Sequence, residues 1–217
     1  MAKETREKIL DTAERLFAKR GIDGVSIRAI TGEAKVNLAA IHYHFGSKEA
    51  LVKEVFARRI GAVNRDRLRL LEEYTIRLES AKPDLEELVR IFVGPPLRLL
   101  ESEGGEIFMR VFGRIFAEAS EQLRSMLVDL FKEVFIKFSA AFEKAAPQIP
   151  KQELIWRFQF LIGAMAHTML HGELFNKFSP RIVELSDVES NIERLTKFGT
   201  AGLIAPLTEE IHDPIFK

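Results

Sequence analysis

Apolar residues recur at intervals of three and four through almost the whole chain, the spacing that gathers them on one face of a helix with about 3.6 residues per turn. Ile9, Leu10, Ala13, Leu16 and Phe17 form the first such stripe, and Gly21 follows the basic pair Lys19-Arg20, so a helix is predicted over about 3–20. Ser26 is placed to cap a short second helix that turns Ile27 and Ile30 inward, and Asn37 to cap a third that runs to about Tyr43. Gly46-Ser47 breaks the chain, with Ser47 as the cap of a long charged helix from Lys48 into the seventies. Lys82-Pro83-Asp84, Gly94-Pro95-Pro96, Gly104-Gly105, Pro147 to Pro150 and Ser179-Pro180 then punctuate helices expected near 84–102 (interrupted at Gly94-Pro95), 105–119, 121–146, 151–177 and 187–205. The last dozen residues read as a loose tail. Alternating β-branched runs are missing, so the fold class is all-α. Three short helices precede a long connector, which divides the chain into residues 1–50 and 51–217.

Composition narrows the function. With 217 residues and 47% hydrophobic content the chain can bury a core without metal or disulfide staples. Cysteine is absent, which removes thiol nucleophiles, cysteine zinc sites and disulfide frameworks. The opening MAKETREKIL is charged where a secretory signal needs an apolar run, and no stretch reaches membrane-span length, so a cytoplasmic protein with no membrane partner is expected. The net charge of zero conceals an asymmetry: residues 1–69 hold 15 Lys plus Arg against 9 Asp plus Glu. A basic lobe on a neutral chain points to a local polyanion site, or to a fluctuation in a highly charged surface.

The segment from Ser26 to Phe45 joins two short helices by a tight turn, with Ile27, Ile30, Ala34, Val36, Ile41 and Phe45 inward. That arrangement is a helix-turn-helix. Its second helix then presents Leu38, Ala39, His42 and Tyr43 outward, and the small Ala39 lets the backbone approach base edges in a major groove.

Residues Ile9 to Leu51 resemble the N-terminal domain of the TetR family of bacterial regulators. The matching elements are Phe17 to Gly21, Ser26 to Ile30, and the run His42-Tyr43-His44-Phe45-Gly46-Ser47-Lys48-Glu49-Ala50-Leu51. Two positions depart from the family: Lys35 stands where the turn usually has Gly, and His42 where it usually has Tyr. A non-glycine in a left-handed turn costs about 1 kcal/mol, and a histidine makes the local charge sensitive to pH. The resemblance implies that Ser26 and Arg28 meet phosphate or a groove edge, that Asn37, Leu38, Ala39 and Tyr43 face bases, that His42 and His44 face the backbone, and that Lys48 meets a phosphate. Ser26 and Asn37 read equally as helix caps, and His44 as core support.

Phenylalanine is abundant, 17 in the whole chain, with Phe92, Phe108, Phe112, Phe116, Phe131, Phe135, Phe138 and Phe142 in helical stripes. Stripes alone describe a plain core, whereas Gly94, Gly104, Gly105 and Gly113 beside them are expected to loosen it into a cavity. In TetR-like proteins this region holds an effector pocket, here expected to be lined by Phe92, Phe108, Phe112, Phe116, Phe131 and Phe135, with Arg110 and Arg114 for a polar head and Arg98 as a further candidate buried cation. Loose similarity of Ile107-Phe108-Met109-Arg110, Ala145-Ala146-Pro147 and Trp156-Arg157 to the fatty-acid-responsive, PsrA-like branch of the family suggests a fatty acid or acyl thioester as effector. A planar aromatic drug or metabolite is the alternative. Small residues among large ones near 161–166 and 198–204 permit close helix contact, and the family places a four-helix dimer interface there. Trp156, Phe160, Gly163, His167, Phe198 and Gly202 are the interface candidates, with packing inside one chain as the alternative.

His167 and His171 sit four apart with Glu173 nearby, but a histidine pair at a helix interface explains them, and neither metal nor cofactor is expected. Nucleotide-binding and nucleophile-elbow motifs are missing. The expected protein is thus a homodimeric repressor that binds a double-stranded DNA operator and is released by a hydrophobic small molecule. An all-α enzyme on a hydrophobic substrate and a DNA-coating architectural protein are the competing classes.

Overall fold

The computed structural model describes residues 2–118, 121–178 and 187–207. The described elements are helices: α1 (Ala2–Arg20), α2 (Ile27–Ala34), α3 (Leu38–Phe45), α4 (Lys48–Leu78), α5 (Leu85–Arg98), a 3-10 turn (Leu99–Glu101), α6 (Gly105–Glu118), α7 (Glu121–Ala145), α8 (Lys151–Phe178) and α9 (Val188–Leu203). The expected tail lies mostly outside the described residues, as do Ser179-Pro180. Five helices start on a capping side chain, at Ser26, Asn37 and Ser47 as expected and at Asp84 and Asp187 besides. Ser47 Oγ accepts from Ala50 N at 3.1 Å, Asp84 Oδ1 from Glu87 N at 2.9 Å and Asp187 Oδ1 from Glu189 N at 3.1 Å.

One expectation is corrected in α5, which runs through Gly94-Pro95-Pro96 without interruption. Pro96 has no N–H for the carbonyl of Phe92, four residues earlier, and such a loss normally ends or kinks a helix. Here Arg67 Nε, reaching across from α4, donates to that carbonyl at 2.7 Å. A tertiary donor thus replaces one of the two helical donors that Pro95 and Pro96 lack.

Two apolar clusters organise the chain. The first joins α1, α2 and α3 to the opening turns of α4 through Ile9, Phe17, Ile30, Ile41, Leu51 and Phe56, and also takes in Phe108, Met109 and Val111 of α6. Packing is therefore continuous across residue 50, with α4 contributing as far as Ile60. The second gathers Leu71 and Tyr74 of α4 with α5, α7, α8 and α9, centred on Phe92, Phe138, Phe142 and Phe158. Helix α4, 31 residues and about 46 Å long, serves both.

Two sets of polar contacts tie these layers together. Glu14 of α1 is only 3% exposed and meets Arg58 Nη2 at 2.5 Å and Arg59 Nη2 at 3.3 Å, both on α4. Arg58 also reaches Asp11 at 2.7 Å. Desolvation pulls its pKa down, but the hydrogen bonds to Asp11 and Glu14 outweigh that and hold it above the usual value. Farther along, Lys197–Glu86, Arg90–Glu193 and Arg98–Glu189 form a ladder between antiparallel α5 and α9. These exposed pairs, screened by solvent, add alignment more than stability.

Candidate functional site

The turn between α2 and α3 is built as the sequence implies. Ser26 Oγ accepts from Ala29 N at 3.1 Å and Asn37 Oδ1 from Ala40 N at 2.8 Å, so both residues cap. Their capping leaves them at the starts of two helices whose N-terminal dipoles favour an anion. Lys35 adopts φ 52 and ψ 47, the left-handed conformation expected of the position where the turn departs from glycine. Val36 N donates to Thr31 O at 3.0 Å to close the turn. Ile30, Ala34, Ile41 and Phe45 are buried beneath, while Ile27 and Val36 are half-buried.

Helix α3 then turns a continuous face to the exterior. Tyr43 is 81% exposed, and Leu38, Ala39 and His42 are exposed beside it. His42 Nδ1 donates to Gly46 O at 3.1 Å, which pins the ring against the end of α3. Half-buried His44 meets the Tyr43 ring edge-on at a centroid distance of 5.0 Å and flanks Phe45, so it supports the tyrosine as well as the core.

Charge around this face is sorted by pairing. The acidic residues of the N-terminal helices are largely engaged: Glu7, Asp11 and Glu14 with Arg58, Glu54 with Arg6, and Glu33 with Arg15. Among the described residues Arg28, Lys35 and Lys48 enter no ion pair. Arg28 stands in the first turn of α2, Lys35 in the turn before α3 and Lys48 at the N-terminal end of α4, as cations available to phosphates.

The described candidate pocket residues fall in two aromatic groups. Phe92 and Phe135 belong with Phe158, at centroid distances of 4.9 and 5.4 Å, the latter pair stacked. Phe108, Phe112 and Phe131 belong to the other group, where Phe108 also meets Phe56 at 5.6 Å. The side chains of Arg110, Arg114 and Phe116 lie outside the described residues. Arg98 is corrected from buried cation to exposed ion pair, held side-on by Glu189 at 2.7 and 3.0 Å. Nor do the glycines loosen the packing. A Cβ on Gly113 would stand 3.0 Å from Leu170 Cδ2, and Gly104, at φ +75, leaves room for the Arg59 guanidinium.

Between the two aromatic groups sits a residue that the sequence reading passed over. Arg67 is 2% exposed, lies 4.1 Å over the Phe92 ring, and donates to Phe92 O, to Asn64 Oδ1 at 3.4 Å and to Met165 Sδ at 3.3 Å. Burial pushes its pKa down to about 9, which leaves it charged at neutral pH. A signal was present: Ile60, Asn64, Arg67, Leu71 and Tyr74 follow helical spacing, so two polar residues stand on the inward stripe of α4.

The interface candidates behave differently from the pocket. Phe160 and Phe198 are each 66% exposed, Trp156 is exposed beside Phe160, and Gly163, His167 and Gly202 lie on the same outer faces of α8 and α9. Nothing lies within 4 Å of a Cβ built on Gly163 or Gly202, so packing within the chain does not account for either glycine. The side chains of His171 and Glu173 lie outside the described residues, among which no metal-holding cluster of His, Asp or Glu occurs. No helix among the described residues is long and apolar enough to cross a membrane.

Comparison with known proteins agrees with this layout. Residues 9–55 match the family described as bacterial regulatory proteins, tetR family, and residues 90–202 match the tetracyclin repressor-like C-terminal domain. The HTH-type transcriptional repressor NicS of Pseudomonas putida is 38% identical over 90 residues, 41% of this chain and 40% of NicS. The regulator AcrR of Shigella flexneri is 42% identical over 55 residues, 25% of this chain and 26% of AcrR. The chain thus aligns with less than half the length of either relative. Among solved structures, FadR of Bacillus subtilis in complex with stearoyl-CoA has a TM-score of 0.68 at 15% identity, covering 90% of this chain and 98% of FadR. The hemolysin II regulator HlyIIR has a TM-score of 0.59 at 21% identity, covering 91% and 98%. At those identities the structures share the fold, and the two family matches, the second alone spanning more than half of the chain, carry the assignment: this chain belongs to the TetR family of helix-turn-helix transcriptional regulators.

Proposed function

We propose that the protein is a homodimeric repressor that reads a double-stranded DNA operator with α3 and releases it when a hydrophobic small molecule binds among α4 to α8. The observation that carries this reading is the outward face of α3, where an 81%-exposed tyrosine stands with exposed Leu38, Ala39 and His42 over a buried apolar core. Leu38, Ala39 and Tyr43 contact bases, Ser26, Asn37, His42 and His44 position α3, and Arg28 and Lys48 neutralise phosphates. The exposed apolar faces of α8 and α9 pair two subunits, so that two copies of α3 enter major grooves about 34 to 36 Å apart, or a multiple of that. Residues 1–50 form the reading unit and residues 51–217 the effector and dimer unit, with α4 as the lever between them. The similarity to NicS, a transcriptional repressor, supports the sign of regulation.

For the effector, the aromatic interior supports an amphipathic molecule with an apolar body, a fatty acid or acyl thioester. FadR was solved with stearoyl-CoA, and a regulator from Saccharomonospora viridis, TM-score 0.58, with choline, so the shared fold is compatible with more than one ligand class.

Selection of duplexes from a random pool by the full-length protein tests the reading. A two-fold symmetric consensus is expected, and Tyr43→Ala should lose discrimination at about 1–3 kcal/mol per contacted base while Lys48→Ala lowers the salt slope by about one phosphate. Gly163→Glu should yield monomers in sedimentation that no longer enrich the consensus. A pool that stays unenriched overturns the proposal. A chain-length series of fatty acids and acyl thioesters then tests the effector, with up to about 0.8 kcal/mol gained per added methylene.

A further inference from the structure

The fold accounts for only part of Arg67. Its Nε bond to the Phe92 carbonyl replaces the helical donor lost at Pro96. The two terminal amino groups are poorly served by comparison. They carry four N–H bonds between them, and their acceptors are Asn64 Oδ1 at 3.4 Å, near the outer limit for a hydrogen bond, and the thioether of Met165. Asn64 is itself held in place, its Nδ2 donating to Leu130 O on α7 at 2.7 Å. No carboxylate among the described residues pairs with this guanidinium, although Arg58, Arg59, Arg90, Arg98 and Arg157 all have one. A buried, planar, charged fork with unspent donors in apolar surroundings is complementary to a carboxylate, which it can take in two parallel hydrogen bonds.

We propose that Arg67 receives the carboxylate of the effector, and that the effector is a free monocarboxylic acid with an apolar body. This rests on the reading of the C-terminal helices as an effector domain and narrows it. The head must be small, because the guanidinium is 2% exposed and enclosed by Phe92, Asn64 and Met165. A carboxylate meets that limit, whereas the nucleotide of a coenzyme A thioester does not. Met165 is the yielding element: a flexible, unbranched side chain whose sulfur holds the place of a stronger acceptor and can swing aside. The acid supplies the missing counter-charge to a site that spans α4, α5, α7 and α8, and so favours the conformer in which those helices close on it.

The test compares acids with their own amides on two scaffolds, using full-length protein and calorimetry: palmitate against palmitamide, and 2-naphthoate against 2-naphthamide. Palmitate should bind about tenfold or more tightly than palmitamide. Arg67→Met should bring the acid down to the amide and leave the amide unchanged. Arg67→Lys, which keeps the charge and loses the fork, should retain part of the preference, and it carries the test if the methionine variant does not fold. A preference for naphthoate alone, lost with Arg67, keeps the inference and replaces the fatty-chain effector by an aromatic one. Equal binding of palmitate and its amide, with no preference on the aromatic scaffold, overturns the inference and leaves the fatty-chain reading standing. An acid preference that survives in Arg67→Met, or no acid preference on either scaffold, also overturns it.

Discussion

Glu14, in the core of the N-terminal helices, is 3% exposed and is met by two arginines of α4; Arg67, on the same helix about 12 Å beyond Arg59, is 2% exposed and meets neutral acceptors. Both are ions taken out of water, which is costly unless a partner restores the lost solvation. In the N-terminal cluster the partners come from the chain itself, and the ion pairs fasten α1 to α4. In the C-terminal cluster the chain supplies a carbonyl, an amide and a sulfur, and leaves the charge uncompensated. Apolar packing is dense in both, so the difference is one of electrostatic completion. On the proposed reading, the complete joint would serve transmission and the incomplete one recognition.

The strongest way to break this comparison is to cut the packing that makes the two ends one mechanism. Phe56 is fully buried and touches Phe108, which links α4 to α6. Phe56→Ala should cost about 3–5 kcal/mol in chemical denaturation, with operator release by effector weakened in the surviving fold. A cost below about 1 kcal/mol would mean that the site collapses freely and that the link is not rigid.

Next in size is the clamp. Glu14→Ala strands Arg58 and Arg59, but both reach solvent in part and Arg58 keeps Glu7 and Asp11, so a loss of about 2 kcal/mol is expected, below that of a fully buried pair. For a chain of this length that is a fall in melting temperature of roughly 4–8 °C at fixed protein concentration. Arg67→Met sharpens the contrast. It removes an uncompensated charge and one useful hydrogen bond at once, so the net change without ligand should stay within about 1 kcal/mol of zero. A loss equal to that of Glu14→Ala would make the two sites alike and dissolve the comparison.

The smallest effect belongs to the turn. Lys35 holds a left-handed conformation at φ 52, and Lys35→Gly should relieve it by about 0.5–1 kcal/mol, a gain visible as a higher denaturation midpoint. Operator affinity should nonetheless fall slightly, since a cation beside α3 is lost. A gain in both would place Lys35 away from the phosphates.

Much of this molecule is local and therefore legible in the chain. Caps at Ser26, Asn37, Ser47, Asp84 and Asp187 act within three residues of themselves, and the apolar period of 3.6 needs no partner helix to be recognised. Helix order and the outward set Leu38, Ala39, His42 and Tyr43 followed from such rules, while the strained turn at Lys35 followed from the resemblance to the TetR family. What only the tertiary structure decided concerns contacts between residues far apart in sequence. Local rules end α5 at Gly94-Pro95, because they cannot see a donor 25 residues away that satisfies the carbonyl of Phe92. They group the phenylalanines by spacing along each helix, whereas α4 and α8 divide them between two clusters. Arg98 and Arg67 both read as cations on helices, and which one is spent on Glu189 and which one is buried without a carboxylate depends on where α9 and α8 come to rest. Periodicity records which face of a helix turns inward; the partner waiting there is set by the packing of the whole chain.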